Sequence, residues 1–331
     1  MHMQDALLSL PVAGTFCGAS AVIIGYSARR AQKEFPPEKI PLMGVMGAFV
    51  FAAQMVNFPV FFGSSGHLVG GTLLAILLGP FMAMLTITSI LIIQCLLFQD
   101  GGLLALGTNI FNMAILSVWI GYGIFRLLIK SKEKCTKKRL FLATFLAGWI
   151  SVFLSSLMVP LEISLSQVSQ APLSTLMLLM GIIHLLIGMV EGLITATVLL
   201  SLARAHPKFL PCPVEIHGKA SSKAVIAAIL CISLLLGGGL SLLASNLPDG
   251  LEWSISKWNP KIVEKPHPLA QKTEKIQKKI SIFPDYSHPK YKAKFWTSLA
   301  GIVGTIVTLL FVVIMSVFIK GKRVREKHGT S

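Results

Sequence analysis

Charge is what this chain has least of. Of its 331 residues only 13% are Asp, Glu, Lys or Arg, while 53% are hydrophobic; a soluble globular domain carries roughly 25% charged residues. So few ions cannot cover a water-exposed fold, which excludes a soluble enzyme and places most of the chain in lipid. Acids are the scarcer sign, 14 against 30 Lys and Arg, for a formal net charge of +16. That excess does not point to nucleic acid, because it is not spread over one surface. Twenty of the basic residues fall in four short clusters, at Arg29 to Lys39, Arg126 to Arg139, Arg204 to Lys223 and Lys320 to Lys327, and the other ten lie in one stretch from Lys257 to Lys294.

Cysteine is sparse and odd in number: Cys17, Cys95, Cys135, Cys212 and Cys231. No disulfide framework is expected from such a set. The segment CPVEIH (Cys212 to His217) holds possible metal ligands but lacks a second ligand pair, and it is expected to be a cytoplasmic turn. There is no GxxxxGK[ST] phosphate loop; GKASSKA (218–224) has neither its spacing nor its flanking strand. The chain therefore cannot hydrolyse ATP by that route. No HExxH occurs either, which removes the helix-borne zinc motif of a site-two-type intramembrane protease. A secretory signal is also missing, with no charged segment before the first apolar run and no cleavage site after it, so that run is expected to be retained.

Long apolar runs are what the chain does have. Nine candidate spans lie at about 10–28, 41–62, 68–79, 81–98, 103–129, 140–161, 173–203, 224–244 and 296–319. A helical crossing needs about 20 residues, so the third, ending at Gly79-Pro80, is short and could be re-entrant. Parity favours counting it. With the N-terminus outside, nine crossings put all four basic clusters in the cytoplasm, as the positive-inside rule requires. The lysine-rich 245–295 segment then lies outside, which a long loop tolerates. The expected fold is an all-α polytopic membrane bundle, with a seven-span unit over 1–204, a cytoplasmic linker over 205–223, and a two-span hairpin with a large extracytoplasmic loop over 224–331. The C-terminus is expected in the cytoplasm.

The chain opens MHMQDALLS. A bulky second residue discourages removal of the initiator methionine, so Met1 keeps its α-amine once deformylated. That amine, the amide nitrogen of His2 and a His2 imidazole nitrogen can close two fused chelate rings on one ion. A deprotonated amide is a strong in-plane donor suited to square-planar Ni(II) or Cu(II). His67, in the Ser/Gly-rich break SSGHLVGG on the same side, is a candidate fourth nitrogen. The residues alone leave the bland alternative open: any Met-His terminus chelates metal in principle, and a loop histidine is commonly just polar.

At these residues the chain resembles the metal-capturing S component of energy-coupling-factor transporters for nickel and cobalt, the NikM/CbiM family. The resemblance rests on MHMQDALLS, FVFAAQMVNFPV (49–60), SSGHLVGG (64–71), LLFQDGGLLALGTNIFNM (96–113) and HLLIGMVEGLIT (184–195). The second half resembles the family's PDGLE-type accessory (N) subunit, through NLPDGLEW (246–253), FPDYS (283–287) and SLAGIVGTIV (298–307). The first span departs from the usual LSP in having LSLPVAG. The resemblance implies a metal site formed by Met1, His2 and His67, Ni(II) as transported substrate with Co(II) as the alternative, and partners consisting of a coupling (T/Q-type) membrane subunit and a pair of cytosolic ATPases. The nickel-type pattern fits better, chiefly through AQMVNFPV and LLFQDGG. A passive channel fits less well, because multidentate chelation opposes rapid exit.

Other polar residues carry weaker expectations. His184 and Glu191, seven apart, share a helix face and could fix packing, relay the metal or couple to a partner. Gln54 and Asn57 could hydrogen-bond the histidines. Asp100, Asn109 and Asn112 could cap or pack helices, and Glu162 is expected at the membrane interface. His267 and His288 are expected in a solvated loop.

Overall fold

Inside a bilayer the backbone has no water to bond, so an apolar run must close its own hydrogen bonds as a helix. The computed structural model describes residues 2–34, 36–130, 135–169, 171–214, 220–258, 267–287 and 294–328. Seven of its helical stretches are long and apolar enough to cross a membrane. They are α1 (Leu10–Glu34), α4 (Pro80–Phe98), the stretch Leu106–Leu128, the stretch Lys137–Ser166, α9 (Leu173–Ala205), Ser222–Leu243 with α10 (Ser222–Gly238), and α13 (Lys294–His328). Leu106–Leu128 is α5 (Leu106–Asn109), a π-helical segment (Ile110–Leu116) and α6 (Ser117–Leu128) in series; Lys137–Ser166 is α7 (Lys137–Ser156) and α8 (Met158–Ser166).

The second and third expected spans are shorter than the sequence suggests. α2 (Ile40–Gln54) has 15 residues, a rise of about 22 Å, and 12 of them are buried. Apolar on every face, it is a core helix enclosed by protein. The chain then leaves helix altogether: β1 (Phe58–Val60) pairs antiparallel with β2 (Ser64–Gly66). Phe62 sits at φ 67° in the turn, and Phe61 and Phe62 are 73% and 65% exposed. The third segment is α3 (Gly71–Leu78), eight residues, all buried. It nevertheless returns the chain to the level where α2 begins, because Lys39 Nζ donates to the Leu77 carbonyl at 3.0 Å. Two of the nine expected segments are thus too short to cross a bilayer alone.

The chain before α7 meets the chain after α9 at one end. The Cys135 amide donates to the Pro213 carbonyl at 2.8 Å, and the Arg139 guanidinium donates to the Leu128 carbonyl. The β1–β2 hairpin and the chain's first residues lie at the other end. Cys135 and Cys212 are buried and all five cysteines are unbonded; His217 lies outside the described residues.

The described parts of the 245–295 loop are largely helical, and His267 is exposed. The loop contains α11 (Gly250–Trp258) and α12 (Pro268–Ile280). α12 buries Ala270, Thr273 and Gln277, one helical face. Thr273 Oγ1 donates to Asp5 Oδ2 at 2.7 Å, and Gln277 Nε2 donates to the carbonyls of Cys95 and Gly101 at 2.9 and 2.7 Å. His267 Nδ1 caps this helix by accepting from the Leu269 amide, and His288 lies outside the described residues.

Below that cap, α10 and α13 pack against each other and against α2. Their crossing is backbone on backbone: a Cβ at Gly301 would fall 1.9 Å from the Gly237 carbonyl oxygen, the close approach that small residues permit between membrane helices. Gly301→Leu should therefore splay the hairpin and cost about 1–3 kcal/mol or more, read as a lowered thermal unfolding midpoint in detergent.

Candidate metal centre at the chain's beginning

The first residues are drawn into the bundle by hydrogen bonds rather than left in solvent. The Met3 amide donates to Asn109 Oδ1 at 2.8 Å, and Asn109 Nδ2 and the Gly102 amide return donations to the Met3 carbonyl at 3.1 and 2.9 Å. Asp5 Oδ1 accepts from the amides of Leu104 and Ala105 at 2.8 and 3.1 Å. Such close passage needs glycine at the crossing: a Cβ at Gly102 would lie 1.9 Å from Asp5 Oδ1. Met1 lies outside the described residues.

These bonds deliver His2 to His67, from 65 residues away in sequence. The two imidazoles stack with centroids 5.2 Å apart and planes inclined by 28°. Their tautomers follow from a chain of bonds that begins at a backbone carbonyl. The Val69 carbonyl can only accept, so Gln54 turns its NH2 toward it at 2.8 Å. Gln54 Oε1 then accepts from Gln94 Nε2 at 2.8 Å, and Gln94 Oε1 accepts from His2 Nε2 at 3.2 Å. Nε2 of His2 thus carries the proton and Nδ1 the lone pair. In His67 the Leu68 carbonyl accepts from Nδ1 at 3.0 Å, which puts the lone pair on Nε2. Burial pushes the His67 imidazole down to about 3 and lowers His2 as well. Both rings are neutral near pH 7, the form that binds metal.

The surroundings favour a cation. His2 Nδ1 stands 3.3 Å from Asp100 Oδ1, a lone pair facing a carboxylate unless a positive charge intervenes. Asp100 Oδ2 accepts from the Tyr286 hydroxyl at 2.6 Å. A cavity of about 240 Å³ opens here, with Asp100, Asp249, Glu252 and Asp285 in its wall beside the two histidines. Burial, then the neighbouring Asp249 charge, pushes Glu252 up; burial, then Asp100, does the same to Asp285. Four carboxylates thus line one cavity of a chain with net charge +16.

Two of those carboxylates belong to LPDGLE, and the motif has a physical reading. Asp249 is the N-cap of α11: its Oδ1 accepts from the Leu251 and Glu252 amides at 2.9 and 2.8 Å, and Glu252 Oε2 accepts from the Asp249 amide at 3.2 Å. That is a reciprocal capping box. The preceding carbonyls hold the hairpin below His67, Leu247 accepting from Ser65 Oγ at 2.7 Å and Pro248 from the Ser65 amide at 2.8 Å. Trp253 Nε1 donates to the Phe62 carbonyl at 2.9 Å. At Gly250 a Cβ would come within 2.7 Å of His184 Cε1.

Sequence reasoning placed some of these residues and missed others. His2, His67, Gln54 and Asp100 converge, and Asn57 also lines the cavity. Asn109 holds Met3. Asn112 instead donates to Glu162 Oε2 at 2.8 Å, and Glu162, expected at the interface, is fully buried. Gln94 was overlooked. Its signal was available: a side-chain amide inside an apolar 19-residue helix must find a partner. Among the described residues no three His, Cys, Asp or Glu side chains are grouped to hold an ion.

Comparison with known proteins shows the family. The family described as "Cobalt uptake substrate-specific transmembrane region" (CbiM) matches residues 2–209, and the PDGLE domain matches residues 223–321. The chain belongs to the CbiM family. A protein of Archaeoglobus fulgidus named for fused nickel transport (NikMN) is 36% identical over 309 residues, covering 93% of this chain and 96% of that one. One of Lactiplantibacillus plantarum named likewise (LarMN) is 31% identical, covering 80% and 81%. A crystal structure of a truncated transition metal transporter, 32% identical, superposes with a TM-score of 0.53 over 61% of this chain and 98% of that one. This CbiM-family chain is thus a multi-pass membrane component of transition-metal uptake, with a PDGLE domain on the same polypeptide.

The buried neutral His67 of this CbiM-family protein also sets a pH dependence. Its folded value near 3 lies below the ordinary 6.5, so below pH 6.5 the unfolded chain takes up a proton that the folded chain refuses. The metal-free protein should then lose about 1.4 kcal/mol of stability per pH unit from this histidine as pH falls through that range. Thermal unfolding of wild type and His67→Gln between pH 7 and 5 should show the shallower slope in the variant.

Proposed function

We propose that this chain captures Ni(II) outside the cell, through the α-amine of Met1, the amide nitrogen and Nδ1 of His2, and Nε2 of His67. The observation that carries the reading is the meeting of the two imidazoles, each with its proton bonded to a fixed acceptor and its lone pair on the remaining ring nitrogen. Imidazole with deprotonated amide nitrogen is the donor chemistry of tetragonal Ni(II) or Cu(II) rather than of Mg or Ca. Nickel is also the metal in the names of the two fused relatives, while the family description names cobalt. Cobalt is therefore the second reading, and direct competition between the two ions separates them.

In this reading residues 1–204 form the capture unit, 205–223 a linker at the basic end, and 224–331 the accessory unit. The basic end faces the cytoplasm by the positive-inside rule, so the acidic cavity faces outward and the C-terminus inward. The chain binds and does not catalyse. Energy comes from cytosolic ATPase partners acting through a coupling membrane subunit, since no phosphate-binding loop occurs in this sequence.

An untagged protein and one lengthened by a single N-terminal residue provide the test. Extension should weaken Ni(II) binding by on the order of 100-fold or more, beyond the roughly 10–100-fold that changes behind the ligands cost. His67→Ala should lose affinity comparably while folding normally. Unchanged affinity in the extended protein, measured by chelator competition, would exclude the amine as a ligand.

A further inference from the structure

α9 presents three residues to the site, one behind the other along a face. His184 meets Gly250, Ile187 fills the space above Gly66, where a Cβ would lie 2.6 Å from its side chain, and Glu191 reaches the loop after His67. The capture of metal described above gives no part to Glu191. Its side chain is 1% exposed, and its two oxygens accept from the amides of Val69 and Gly70 at 2.7 and 2.9 Å. Gly70 is the N-cap of α3 at φ 77° and has no side chain to offer the first amides of that helix. Glu191 takes that place from another helix.

What lies on the far side of those two peptide groups matters more. The peptide joining Leu68 to Val69 gives its N–H to Glu191 Oε2, and its carbonyl is the acceptor for His67 Nδ1. The next peptide, joining Val69 to Gly70, gives its N–H to Glu191 Oε1, and its carbonyl is the acceptor from which the Gln54–Gln94–His2 chain starts. We propose that Glu191 is a positioning residue for both histidines, holding their donor tautomers through two consecutive peptide groups. Metal-bound imidazoles are commonly oriented by a carboxylate bonded to the second ring nitrogen. Here a peptide is inserted in each link, one leading directly to His67 and the other through two amide side chains to His2. A carboxylate on the N–H side polarises each peptide and strengthens its carbonyl as an acceptor, since bonds in series reinforce one another in a low dielectric. The ligand nitrogen at each far end becomes the better electron donor.

This rests on the donor set proposed above, and the test keeps the two apart. Ni(II) affinity of the full-length protein with a free N-terminus is measured by chelator competition. Glu191→Gln, which keeps size and removes the charge, should weaken binding about 10–100-fold. In a background with both routes cut, His67→Ala with Gln54→Ala, the same change should alter affinity by less than about twofold, the non-additivity expected of residues acting through one another. A metal-free readout accompanies it: histidine-selective ¹⁵N spectra should show His67 protonated on Nδ1 and His2 on Nε2 in the wild type, and mixed tautomers in Glu191→Gln. Native affinity in Glu191→Gln, an equal loss in both backgrounds, or tautomers that do not change would each overturn the proposal, the second by showing that Glu191 acts through the fold alone. His67→Ala binding with native affinity would instead remove the donor set, and this relay with it.

Discussion

A buried imidazole must have its proton placed by something, and the architecture around the N-terminus follows from that need. The protein supplies each ring with an acceptor for one nitrogen, His67 buried and His2 half-buried at the cavity wall. His67 finds its acceptor at the Leu68 carbonyl, and His2 finds one at Gln94 Oε1, whose chain of bonds ends at the Val69 carbonyl; both carbonyls belong to residues 67–70, which run neither as helix nor as strand. That irregular stretch in turn has amides that a lipid-facing backbone could not leave unpaired. It is tolerated because α2, α4 and α9 enclose it with Gln54, Gln94 and Glu191. The shortness of α2 and α3 has the same origin: helix stops where carbonyls and amides have to face inward to side chains.

The PDGLE segment belongs to the same logic. Its capping box settles the first turn of α11 locally, which frees the carbonyls of Leu247 and Pro248 to grip the hairpin next to His67. The glycine of the motif is required by His184 on α9, and the Trp253 indole reaches the Phe62 carbonyl on the exposed turn. One short segment therefore touches the hairpin, α9 and the cavity wall together. α12, bonded to Asp5 and to the 97–101 turn, closes the opposite flank. The CbiM-matched and PDGLE-matched regions line one cavity together, with His2 and His67 from the first and Asp249, Glu252 and Asp285 from the second.

Much of this was legible in the sequence where the signal is local. Long apolar runs such as Pro80–Phe98 and Leu173–Ala205 name themselves, and the glycines of SSGHLVGG mark the break that holds His67. The misreadings share a different cause. Phe58 to Phe62 were counted into a span because apolarity does not distinguish a residue that crosses lipid from one that tops a hairpin. The packing of α12 in the lysine-rich loop was not legible because the partners of Thr273 and Gln277 lie 268 and 182 residues away. Glu162 looked interfacial because its partner Asn112 is on another helix. Glu191 was recognised as facing His184 across two turns, but nothing along the chain points to the two peptides it serves.

The distribution of charge then gives the molecule a direction. Basic residues such as Arg126, Arg139 and Arg204 stand at one end, while four carboxylates surround a cavity at the other, beside the lysine-bearing α12. In the proposed reading a dication meets four carboxylates at the cavity wall, a local attraction set against the lysines of α12 and the net charge of +16. The same ion leaving toward the basic end would meet like charge after giving up a set of nitrogen donors. In the proposed reading the carboxylates favour entry at the cavity wall, and the basic end opposes release. In that reading the ion is held until some other event moves α9, the hairpin or the PDGLE segment, because those three elements converge on the loop that fixes both imidazoles.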